Sequence, residues 1–63
     1  MMHQLEQEVQ SIVEAYQLGS INEEERNYLL MEIRDIKAAN ECAHDEQVFR
    51  YVVQACNMAM GLA

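Results

Sequence analysis

Few residues in this chain have the types and spacing that chemistry needs. Cys42 and His44 stand two apart, Asp45 and Glu46 follow, and Cys56 comes one segment later. A metal site wants about four ligands at helical or knuckle spacing, and here there is no Cys-x-x-Cys pair. A Cys–His nucleophile needs both side chains on one face with a third group to orient the base. Residues two apart on a helix point to different faces, and no orienting residue or oxyanion loop follows. The sequence therefore predicts no catalytic residue, no metal ligand, no cofactor and no enzyme. Cys56 reads as core, Cys42 as a small residue at a helix end, and His44 as exposed near a helix start. His3 is given no role. A Cys42–Cys56 bridge is possible between adjacent helices, but free thiols are the expectation for a chain read as cytoplasmic.

The EEE run from Glu23 to Glu25 looks like a site at first sight. Asn22 before it suits a helix N-cap, and Glu25 three residues on completes a capping box. Glu23 and Glu24 then lie in a first turn, where the helix dipole favours negative charge. The run is thus explained as a helix start.

Those residues must be held by helices. The 63 residues contain no Pro and only two Gly, Gly19 and Gly61. Glu, Gln, Ala, Leu and Met dominate, which favours helix. The chain reads as a single domain, 1–63. At 51% hydrophobic it is too apolar for a disordered tail. A domain this small usually needs outside support such as oligomerisation.

Three helical segments are legible. The first covers about residues 3 to 17, with Leu5, Val9, Ile12 and Tyr16 at 4-3-4 spacing and Val13 beside them. Gly19 suits the left-handed position after its end. The second starts at Asn22 and carries Leu29, Ile33 and Ile36, with Leu30 alongside. Its stripe meets Asn40 where another apolar residue would fall, so the helix is expected to fray between Ala39 and Ala43. The third starts at Asp45, has a Glu46–Arg50 pair, and ends near Gly61. Phe49, Val53, Cys56 and Met60 form its main stripe. One long helix joining the second and third segments is disfavoured, because the stripes are out of phase.

The third helix is apolar almost all round, with only Gln47, Arg50, Gln54 and Asn57 as a polar stripe. Two amphipathic helices cover one of its sides. A second row, Val48, Tyr51, Val52, Ala55, Met58, Ala59 and Leu62, is left over. Apolar patches of this kind mark interfaces, and two-fold dimers are the commonest oligomer. The expected fold is all-α, a small three-helix bundle made of a helical hairpin plus an apolar third helix, homodimeric through that row.

The net charge is -7. No basic run is present to neutralise phosphates, so direct nucleic-acid binding is disfavoured. The N-terminal stretch lacks the pattern of a signal peptide, and the apolar tail is too interrupted for a membrane span. Glu6, Glu14, Glu23 and Glu24 offer an acidic face for a basic protein surface.

The stretch YQLGSINEEERNYLL, with Gly19, Ile21, Asn22 and Glu23 to Glu25, resembles the short helical hairpin domains called SHOCT. That resemblance implies an oligomerisation or protein-contact role. It covers about a quarter of the chain, departs at Arg26, and has no counterpart to the third helix. The short, acidic, motif-free profile is also similar to many small phage or mobile-element proteins. The favoured function is a small acidic regulatory factor that binds another protein. The alternatives are a self-associating assembly component and an acidic nucleic-acid mimic that inhibits a DNA-binding protein.

Overall fold

The row Leu5, Val9, Ile12 and Tyr16 does become one helix face. In the computed structural model, which describes residues 3–62, helix α1 spans Gln4–Gln17. Its N-cap is His3, whose Nδ1 accepts the Leu5 N–H at 3.0 Å. The chain leaves α1 through Gly19 at φ 78°. The Gly19 N–H bonds to the Tyr16 carbonyl and the Ser20 N–H to the Ala15 carbonyl, a Schellman closure. Gly61, at φ 80°, ends the last helix in the same way, with bonds to Met58 and Asn57.

The second helix starts as expected. Asn22 Oδ1 accepts from the Glu25 N–H at 2.8 Å, and Glu25 Oε1 accepts from the Asn22 N–H at 3.1 Å. Regular α-helix runs over Glu23–Glu32, a π turn over Ile33–Lys37, and α-helix again over Ala38–Glu41. The three pieces form one continuous rod, residues 23–41, called α2 here. The Ala38 N–H reaches the Ile33 carbonyl, a five-residue step. The last helix, α3, spans Glu46–Ala59, with Asp45 as N-cap accepting from the Val48 N–H at 3.1 Å.

The π turn corrects the expected stripe of α2. The buried row is Leu30, Ile33, Ala38 and Cys42, not Leu29, Ile33 and Ile36. The extra residue of a π turn advances the phase by one position. Ala38 and Cys42 therefore continue the inward row, and Ile36 is turned out, 57% exposed.

The core joins Leu5 and Val9 from α1, Leu30, Ile33 and Ala38 from α2 with Cys42 at its C-cap, and Val52 and Cys56 from α3 with Met60 at its C-cap. Ile12, Val13, Val48, Phe49, Val53, Ala55 and Ala59 pack around it. On α3 the deepest row is thus Val52–Cys56–Met60, with Phe49 and Val53 on its flank. The chain is an all-α three-helix bundle, and the described residues contain no strand.

Polar links hold the helices in register. Arg34 donates to Asn57 Oδ1 at 2.9 Å, and Lys37 Nζ pairs with Glu8 at 3.0 Å. Both cations lie in the π turn, so that turn is tied to α3 on one side and to α1 on the other. Arg26 stands 4.5 Å above the Tyr16 ring and 3.6 Å from Glu23. The residue that departs from the hairpin pattern thus joins α1 to α2 by a cation–π contact.

Candidate interaction surfaces

Cys42 is buried and His44 is exposed, so the pair read from the sequence does not come together. The imidazole near Cys42 is that of His3, with Nε2 3.9 Å from Sγ. Its Nδ1 already accepts the Leu5 amide, so the neutral ring carries its proton on Nε2 and presents a donor to sulfur. Burial pushes the Cys42 thiol up, and Glu41, Asp45 and Glu6 push it further. Burial raises Cys56 to about 11, against a small opposing effect of Arg34. A reactive cysteine needs a shift in the other direction. Both are free thiols. Among the described residues, no three His, Cys, Asp or Glu side chains are grouped to hold a metal ion.

The expected interface row on α3 divides. Val52 is 0% exposed, so it belongs to the protomer core and is withdrawn from the surface set. It lies four residues before Cys56, one turn along the same buried row of α3. Val48, Ala55 and Ala59 are half-buried against the core. Tyr51, Met58 and Leu62 are exposed. Tyr51, Ala55, Met58 and Ala59 line one wall of a groove of about 400 Å³. Val9, Gln10 and Val13 of α1 form the other wall, with Gln54 at its rim. Among the described residues, no ionisable group other than the Tyr51 phenol lines it.

A second apolar row lies on the back of α2, and the sequence reading passed over it. Tyr28, Met31 and Ile36 are all exposed, at 67%, 45% and 57%. Tyr28, Met31 and Ile36 share a shallow depression with Glu32 and Asp35. The signal in the sequence was the set of apolar residues that the Leu29–Ile33–Ile36 stripe left unassigned. Without the π turn, Ile36 seemed to belong to the core.

Charge is distributed unevenly. Each of the four basic residues has a carboxylate partner: Arg26 with Glu23, Arg34 with Asp35, Lys37 with Glu8 and Arg50 with Glu46. The Arg34 hydrogen bond holds the Asp35 carboxyl below its ordinary range. Glu23, one of the four expected acidic-face residues, is thus matched by Arg26 within the chain. Glu6 and Glu14 lie eight residues apart on α1, about 12 Å along its axis. Glu24 sits on α2, beside Tyr28 at the edge of a second depression there.

The chain matches no protein-family model, and neither curated proteins nor solved structures include one significantly similar to it. No helix of the described residues is long and apolar enough to cross a membrane.

Proposed function

We propose that this chain is a small acidic regulatory factor that acts by binding another protein, and that it works as a homodimer. The observation that carries the reading is the apolar groove between α1 and α3, flanked by exposed Tyr51 and Met58. Two copies that each carry -7 repel one another. A contact between them is best made where no ionised side chain stands, and the groove lining meets that condition. Self-pairing there buries Tyr51, Met58 and Leu62 and leaves the carboxylates outside for a basic partner surface. The raised thiols and the open, shallow surfaces favour binding over catalysis. A cytoplasmic setting suits two free cysteines. The resemblance to SHOCT hairpins is compatible with this role.

The test is mass in solution by light scattering after size exclusion, with reductant, over a range of concentrations. A dimer is expected, and Met58→Asp is expected to return it to monomer. A natural chain that stays monomeric at high concentration would refute the pairing.

The second apolar row, on α2, favours one further reading, a self-associating assembly component. There the α2 face of one copy seats on the groove of the next, an arrangement that does not close. Mass growing beyond a dimer with concentration is its mark.

A further inference from the structure

We propose that the back of α2, where Tyr28, Met31 and Ile36 are bordered by Glu24, Glu32 and Asp35, docks a cationic amphipathic helix of a partner protein. The inference rests on the protein-binding reading above and names the surface and the chemistry of the partner.

The three apolar side chains have no part in the fold. Leu30, Ile33, Ala38 and Cys42 supply the contribution of α2 to the core. Tyr28, Met31 and Ile36 point away from it and remain exposed. One such residue on a helix would mean nothing; three on one face, clustered with acids, make a patch.

The backbone is adapted to that placement. With regular α geometry, Ile36 would sit three residues after buried Ile33, on the flank of the core face. The π turn rotates it to the back, in line with Tyr28. Single π turns inside α-helices often mark functional sites. From Tyr28 to Ile36 the patch runs about 12 Å along the axis, or two turns, which matches the anchors of a helix at i, i+3 or i+4, and i+7.

The border selects the partner's charge. Glu24 and Glu32 form no ion pair among the described residues, though Lys37 lies near enough to feel the Glu32 charge, whereas Asp35 is held by Arg34. A second copy docked symmetrically on this face would bring like carboxylates together, which is unfavourable. A helix with an apolar stripe and flanking Lys or Arg satisfies both the row and its border. The two surfaces then have separate tasks: the neutral groove between α1 and α3 joins copies, and the acid-edged back of α2 takes the partner.

The experiment uses a fluorescent Lys/Leu amphipathic peptide of about 18 residues, long enough to exceed the patch, and a scrambled peptide of the same composition. Binding to the full chain is followed by anisotropy and mapped by amide chemical shifts. Saturable binding is expected for the amphipathic peptide alone, weakening as salt rises. Shifts should cluster between Tyr28 and Ile36. The triple variant Tyr28→Ser, Met31→Ser, Ile36→Ser should bind at least about tenfold more weakly, as should Glu24→Gln with Glu32→Gln. Both should melt like the natural chain, and Tyr51→Ser should bind normally. Equal binding of the scrambled peptide, no saturable binding, or unaltered affinity in both α2 variants would overturn the proposal. Shifts confined to the Tyr51–Met58 groove would overturn it while keeping the broader interaction reading. Growth beyond a dimer that Ile36→Asp abolishes would give this face to another copy and overturn it as well.

Discussion

At the scale of single residues, the groups that first suggest chemistry are shaped by burial. Cys56 is a fully buried residue of α3, and its thiol is raised from 9.0 to about 11. Below the ordinary thiol range, both folded and unfolded chains keep the proton. Between about 9 and 11 the unfolded chain releases it and the folded chain holds it, so stability falls as pH rises through this window. Cys42 acts in the same direction. The urea midpoint is expected to drop between pH 8 and pH 10.5, and Cys56→Ala, though less stable throughout, should show a shallower drop. A midpoint that rises with pH would contradict the burial argument. Neither thiol should react quickly with iodoacetamide at neutral pH until the chain unfolds. Side-chain truncation separates core from surface on one helix. Leu30→Ala and Ile33→Ala should each cost about 2–5 kcal/mol by leaving cavities. Ile36→Ala should stay within about 0.5 kcal/mol, because it removes an exposed group. Urea unfolding of the three variants checks this, and a large loss at Ile36 would place it in the core.

At the scale of elements, the ends of the helices follow local rules and the middle of α2 does not. Asn22 with Glu25, Asp45, Gly19 and Gly61 each act within a few residues of themselves, and each end is where the pattern puts it. The π turn instead serves the assembled bundle. It places Ala38 and Cys42 in the shared core, and it directs Arg34 to Asn57 and Lys37 to Glu8. Removing the extra residue is therefore an informative change. Deleting Asp35 leaves Leu30, Ile33, Ala38 and Cys42 at 3-4-4 spacing, which an unbroken α-helix satisfies. The deletion should keep the helical circular dichroism and melt cooperatively. Deleting Met31, in the regular part of the rod, leaves Leu30 and Ile33 out of phase and should abolish cooperative melting. If both deletions behave alike, the π turn is not what sets the phase.

At the scale of the whole molecule, the balance is between a small core and a strongly acidic surface. Every Lys and Arg is engaged inside the chain, so the net charge is displayed outward. In the proposed dimer the neutral groove is covered and the carboxylates stay at the edge. Salt should therefore tighten self-association by screening repulsion between copies, yet weaken binding to a cationic partner. Measuring both at about 50 mM and 300 mM salt tests the division of surfaces, since the same sign of change for both would contradict it. Because the core is small, dimerisation should also raise the melting temperature with protein concentration.

The sequence by itself determined what is encoded within one helical turn or along one helix. That includes the three segments, the caps Asn22 and Asp45, the left-handed Gly19, Gly61 at the last helix end, and the excess of apolar surface on α3. Periodicity also marked Leu5, Val9 and Cys56 as core. The tertiary structure alone decided where the five-residue step falls in α2, since an insertion in the hydrogen-bond ladder has no local residue signature. That step turned Ile36 from core to surface and brought Ala38 and Cys42 inward. It also decided which part of the α3 row is core: Val52 is buried, whereas Tyr51 and Met58 are exposed, a distinction that depends on where the neighbouring helices stand. His3 came to Cys42 for the same reason. Contacts across 39 residues depend on how the helices pack, and periodicity along one helix cannot place them.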